Sequence, residues 1–254
     1  MTLDACAALI ERGDPDRFAA LMAAPQLARA SLLPLFALNL EVARAPWVTS
    51  EPMIAEMRLQ WWRDALAETR PRAHEVAGPL HALIAAKALP ADTLDRLIAA
   101  RRWDIYHDAH SDEAALDDYI DATAGGLMWL SALALGAPAT AEAPIRNYAF
   151  AAGLAAYLRA VPDLEARGRV PLLDGRPEGV ARLAMRGLIR LQKARAARRQ
   201  IPRVATPALL PGWQAEALLT LAARDPGAVA AGALALPEIT RRGRLMWQAL
   251  TSRF

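Results

Sequence analysis

Three carboxylates stand close together at Asp117, Asp118 and Asp121, a D-D-x-x-D run. At i, i+1 and i+4 they can cluster on one side of a helix, and oxygen donors so placed can hold a Mg²⁺ ion bridged to a diphosphate. Such a site needs a second acidic motif on a facing helix. Asp104-x-x-x-Asp108 has workable i, i+4 spacing but lies on the helix just before. The competing reading is plain: acidic residues in the first turns of a helix suit its dipole and face water. His107 and His110, with Asp108 and Asp112, could be written as a metal site, but their spacing matches no recognisable ligand pattern and nothing else in the chain adds to it. A basic run holds Arg182, Arg186, Arg190, Lys193 and Arg198, with Leu183, Ile189 and Leu191 between. It could lie on an anionic membrane surface, hold phosphates or simply be solvated. RRGRLMWQALTSRF near the end has the same character, with Leu245, Met246, Trp247 and Phe254 after a basic start. No nucleophile elbow, phosphate loop, dinucleotide fingerprint or Cys/His zinc spacing is present.

The elements that must position these groups are helices. In Ser31–Leu66, Leu32, Leu35, Phe36, Asn39, Leu40 and Ala43 recur at spacings of three and four, as do Met53, Ile54, Met57, Trp61, Ala65 and Leu66. Two long helices with apolar inner faces form two walls. Ser50 is the expected N-cap of the second, with Glu51 and Pro52 in its first turn. Shorter helices are expected over Leu3–Arg12 and from Pro15 through Met22. Further ones are expected over 76–87, 92–107, from Ser111 through the Gly125-Gly126 pair, and over 143–161, where Pro162 should end the helix. Glu178–Gln200 is the basic helix. Residues 202–212 are expected to be irregular, and helices near 215–223 and 238–251 finish the chain. A glycine pair inside a helix costs about 1 kcal/mol per residue and marks a place where a backbone or a ligand comes close.

Composition agrees. Of 254 residues, 54% are hydrophobic and β-branched types are sparse, which argues for all-α. A net charge of +3 is too small for a nucleic-acid binder. The single cysteine, Cys6, allows no internal disulfide and fits a reducing compartment. No secretory signal and no apolar run of roughly 20 residues is found, so a cytoplasmic, soluble or peripheral protein is expected.

Four segments, APQLARASLLPLFALNLEVA, MRLQWWRDAL, DDYIDATAGGLMWL and GLAAYLRAVPDLEARGRVPLL, resemble landmarks of the squalene/phytoene synthase superfamily, from Phe18 to about Leu173. The resemblance implies a single all-α isoprenoid-synthase-like helical bundle over 1–254 with a central cavity. The N-terminal helices over 1–24 and the C-terminal helices over 202–254 would belong to it. In active members of that family, two aspartate-rich motifs on facing helices bind Mg²⁺ and the diphosphates of two prenyl substrates, which condense head to head. Here the first motif's place reads FALNLEVARA, with Glu41 its only acid. The second falls on LRAVPDLEARGRV, where Pro162 should break the helix before Asp163 and Glu165. A Mg²⁺ ion needs near-octahedral oxygen ligands beside the leaving group. One glutamate on one wall is poor equipment, and the D-D-x-x-D run matches neither metal motif.

The order L-N-x-E-x-A, S-E-P, M-R-L-Q-W-W, L-R-A-x-P is similar to the branch of the superfamily that includes the respiratory complex I assembly factor. That likeness implies a protein without its own cofactor or metal that helps assemble a membrane protein complex, through that complex or its subunits. Peripheral contact with the inner face of the cytoplasmic membrane would accompany this role, and a prenyl lipid could occupy the cavity. The alternative is a Mg²⁺-dependent prenyltransferase with Glu41, Asp163 and Glu165 as an altered catalytic set. The cavity lining expected from the resemblance is Phe36, Asn39, Leu40, Met57, Arg58, Trp61, Gly125, Gly126, Trp129, Leu154, Tyr157 and Arg159. A buried arginine needs a partner, so an ion pair of Glu41 with Arg58 or Arg159 is also expected.

Overall fold

The computed structural model describes residues 3–254. Helices α1 (Leu3–Gly13) and α2 (Pro15–Ala23) meet at Asp14, whose side chain accepts the Arg17 backbone N–H and caps α2. Cys6, on the inner face of α1, is fully buried, and burial together with the charge of Glu75 pushes its thiol up to about 11. The long helix α3 (Gln26–Arg44) is buried from Leu32 through Leu40. Such a continuous run makes it a core helix rather than a surface one. Helix α4 (Pro52–Ala67) follows a short 3₁₀ turn over Ala45–Trp47. Its cap position is Glu51, whose N–H is held by the Thr49 hydroxyl, so Ser50 does not cap it.

Helices α5 (Ala77–Lys87) and α6 (Ala91–Ala100) come next. The helix expected through His107 stops at Ala100 and tightens into i→i+3 turns, with Asp104 N–H donating to Arg101 C=O and Ile105 N–H to Arg102 C=O. In such turns residues three apart eclipse, which sets Arg101 and Asp104 on one side. Asp112, not Ser111, caps α7 (Glu113–Ile120). A π-helical turn over Asp121–Gly125 joins it to α8 (Gly126–Ala134).

The central helix is α9 (Glu142–Ala166), packed against α8, the π turn and two helices that follow, α10 (Pro177–Ala196) and α11 (Ala215–Arg224). The break expected at Pro162 does not occur. The helix runs one turn beyond it, where a missing N–H leaves a single carbonyl unpaired and the chain still gains by burying Val161 and Leu164. Residues 203–212 form a 3₁₀ segment, and the short α12 (Gly227–Ala230) and α13 (Glu238–Thr251) complete an all-α bundle.

Candidate functional site

A cavity of about 300 Å³ lies inside the bundle. Its walls come from α3 (Phe36, Asn39, Ala43), the π turn and α8 (Thr123, Ala124, Leu127, Met128), and α9 (Ala152, Gly153, Ala156, Tyr157, Ala160, Leu164). The α9 wall is small because Ala152, Ala156 and Ala160 stand at i, i+4 and i+8, with Gly153 beside them. Gly153 is required: a Cβ there would sit 2.5 Å from the Ala124 Cβ across the gap. The walls given by α8 and α9 are therefore apolar apart from Tyr157.

One end is polar. Arg101 Nη1 donates to Asp104 (3.3 Å) and to the Tyr119 hydroxyl (3.0 Å), Tyr119 donates to Asp104 (2.9 Å), and Arg101 Nη2 donates to Asn39 Oδ1 (3.3 Å). Asp104 is 4% exposed. Burial pushes its carboxyl up from the ordinary range, against the pull of Arg101 and Tyr119, and burial pushes the Tyr119 phenol up as well. Behind this group Arg169 donates to the backbone carbonyls of Trp103, Tyr106 and Asp104 and lies 4.8 Å from the Trp47 ring centroid. His110 stacks flat on Trp103, with centroids 4.1 Å apart and planes 8° apart.

Mg²⁺ is the ion that the family resemblance implies, and the donor set here does not fit it. The lining carries one carboxylate, Asp104, against two guanidiniums, Arg17 and Arg101. The Tyr119 hydroxyl lies 2.9 and 3.0 Å from the two Asp104 oxygens, and Arg101 donates to Oδ2 as well. A divalent cation needs several oxygen ligands and net negative charge, and here Asp104 is neutralised by Arg101 while Arg17 is paired with Asp14 (2.9 Å).

Of the residues expected from sequence to line the cavity, Phe36, Asn39 and Tyr157 do so. Glu41, Met57, Arg58 and Trp61 instead line an outer groove of about 500 Å³ with Ile54, Trp62 and His74, because α4 turns this face outward. Leu40 packs toward Gly13, Leu154 toward Gly187 of α10, and Gly126 toward Thr93 and Leu97 of α6. Gly125 makes room for a side chain, since a Cβ there would meet the Asp121 carboxylate at 2.7 Å. Trp129 is buried in the core outside the cavity. Arg159 is half-exposed and paired with Asp16 (3.1 Å), and Asp163 and Glu165 are exposed on the outer side of α9. The expected ion pair of Glu41 with Arg58 or Arg159 is not formed, since α9 aims Arg159 at α2.

The D-D-x-x-D run is spread among three arginines on three helices. Asp117 holds Arg186 (2.6 Å), Asp121 holds Arg146 (3.1 Å) and Arg96 (3.2 Å), and Asp118 lies 3.7 Å from Arg96. Its carboxylates tie α6, α9 and α10 together. Nor do the histidines form a cluster: His110 is buried on Trp103, while exposed His107 bonds the Gly168 carbonyl (3.2 Å). The polar end of the cavity is not legible in sequence as a unit. Its one local signal is Arg101-x-x-Asp104 in RRWDIYHDAH, where a change from helix to 3₁₀ spacing is invisible to periodicity.

A solved dehydrosqualene synthase superposes with a TM-score of 0.82 at 14% identity, over 99% of this chain and 97% of that one. The squalene synthase HpnC of Alicyclobacillus acidocaldarius gives 0.72 at 18% identity, over 88% and 93%. These two establish the fold. Among relatives by sequence, "NADH dehydrogenase (ubiquinone) complex I, assembly factor 6" of Mus musculus is 25% identical, over 81% of this chain and 69% of its own length. The family model described as squalene/phytoene synthase matches residues 10–249. Matched over nearly its whole length, the chain belongs to the squalene/phytoene synthase family.

Proposed function

We propose that this chain is a non-condensing member of its family that acts as an assembly factor for a membrane protein complex, with respiratory complex I as the client. The observation that carries this reading is the polar end of the cavity. Diphosphate ionisation draws on metal charge beside the leaving group, and here the sole carboxylate is committed to Arg101 and Tyr119. The mouse relative supports the choice of client. No cofactor or metal is assigned. Deleting the gene should lower NADH:quinone oxidoreductase level and activity, and restoring the wild-type chain should recover both. Unchanged levels would sink the proposal.

A second reading is favoured by the closeness of the fold to working synthases. In it the protein is a Mg²⁺-dependent prenyltransferase. Folded protein incubated with farnesyl or geranylgeranyl diphosphate and Mg²⁺ decides between the two: released pyrophosphate with a condensed product favours the second. Loss of that turnover in Glu41→Ala would assign the glutamate.

A further inference from the structure

Helix α13 is amphipathic in the reverse sense. The face that meets the rest of the protein carries Arg241, Arg244, Leu245 and Gln248. Arg241 is bound to Asp16 and Glu238, Arg244 donates to Glu216 (2.9 Å), and Gln248 donates to the Leu209 carbonyl (3.1 Å) and the Tyr148 hydroxyl (3.2 Å). The opposite face carries Ile239, Met246, Trp247 and Leu250, which are 84, 63, 60 and 75% exposed. At 3.6 residues per turn Ile239, Met246 and Leu250 fall within about 40° of one another, with Trp247 beside them. A surface helix turns its apolar stripe toward the core. Here the core-facing side is satisfied by hydrogen bonds and the stripe faces out.

Two cations, Arg198 and Arg253, stand on the Trp247 side of this stripe. Arg198 and Arg253 line, together with Trp247, the groove of about 480 Å³ between α10, α11 and α13, and Arg199 and Arg203 continue the run along the chain. The carboxylates nearby are already engaged, Glu216 by Arg195 and Arg244 and Glu238 by Arg241 and Arg242. Among the described residues, Arg198, Arg199, Arg203 and Arg253 form no ion pair within 4.0 Å. Free guanidiniums beside a row of Ile, Met, Trp and Leu match one partner in both charge and polarity: an anionic bilayer surface, with phosphates at the level of the arginines and acyl chains below.

We propose that α13 is a membrane-docking helix. It lies in the interfacial plane of an anionic bilayer with Ile239, Met246, Trp247 and Leu250 at the headgroup–acyl boundary and Arg198 and Arg253 against lipid phosphates. The inference deepens the assembly reading, which sets the protein beside a membrane complex, but its observations are those of α13 and the arginines beside it.

The test is sedimentation of the purified full chain with vesicles of phosphatidylcholine, and of phosphatidylcholine mixed with phosphatidylglycerol. Binding is expected to the mixed vesicles alone, weakening as salt rises. Met246→Asn with Leu250→Asn alters only outward side chains, so the fold survives by circular dichroism while vesicle affinity falls roughly tenfold or more. Arg198→Gln with Arg253→Gln should lower it roughly tenfold by the separate electrostatic route. Wild-type protein left in the supernatant with both vesicle types would overturn the proposal, as would variants that bind like wild type. So would a dimer in solution that the Met246/Leu250 variant dissociates, since the stripe would then be an interface between copies. The vesicle result stands apart from oxidoreductase levels, so failure of docking and failure of the assembly role are read separately.

Discussion

His110 lies flat against Trp103, and its protonation is set by what surrounds it. The Tyr157 hydroxyl donates to the Pro171 carbonyl at 2.8 Å, which leaves its oxygen to accept from His110 Nε2 at 3.3 Å. The network therefore assigns the neutral Nε2–H tautomer. Burial lowers the imidazole from 6.5 to about 4. A histidine whose folded pKa lies below its unfolded one binds its proton more tightly after unfolding. Stability is thus fully present above about 6.5 and is lost as pH falls toward 4. The loss should be about 2–3 kcal/mol. His110→Phe, which keeps the stack, should flatten this part of the pH profile in urea unfolding; an unchanged slope between pH 6.5 and 4 would show that His110 is not its source. In the sequence His110 was legible only as a possible ligand, because nothing local announces that Trp103 and Tyr157 will enclose it.

At the scale of elements, periodicity located nearly all the helices, and its misses have physical causes. Pro162 is a strong local stop signal, yet tertiary burial of Val161 and Leu164 carries α9 through it. The Gly125-Gly126 pair was legible as a place of close approach, but the two glycines differ. Gly125 leaves space for the Asp121–Arg146 ion pair at the π turn, whereas a Cβ on Gly126 would find only ordinary contacts, the nearest 3.6 Å away at Thr93. Gly125→Ala should destabilise by about 1–3 kcal/mol by displacing that carboxylate. Gly126→Ala should stabilise by about 0.5–1 kcal/mol through helix propensity. Parallel denaturant titrations would check the opposite signs. A close approach of one helix to another occurs instead at Gly153 against Ala124.

Across the whole molecule, Asp16 joins the two ends of the chain. Its carboxylate accepts from Arg159 of α9 (3.1 Å) and Gln214 before α11 (2.9 Å), and it is bound by Arg241 of α13. Partial burial pushes this carboxyl up, but the hydrogen bonds from Arg159 and Gln214 and the charge of Arg241 outweigh it and hold the group below the usual carboxylate range. A depressed folded pKa gives stability that is present above the unfolded value, near 3.9, and is lost as pH falls below it. Asp16→Asn should cost about 1–2 kcal/mol at pH 7, discounted for partial solvent screening, or a fall of a few degrees in Tm. The difference from wild type should shrink below pH 4; a gap that persists there would mean packing, not charge, is lost. The partners lie 143, 198 and 225 residues away in sequence, so no local pattern could have revealed them. The cavity's overall architecture was legible only through family resemblance, while its polar end depended on long-range placement of the same kind.

Cys6 gives this architecture a built-in clock. Its thiol is fully buried on the inner face of α1 and is pushed up to about 11, so at neutral pH it offers almost no thiolate and no path to a reagent. Alkylation then proceeds only in the moments when α1 lifts away, and the labelling rate counts those openings one molecule at a time. With one sulfur in thiol form along the sequence, the count needs no engineering and no background correction.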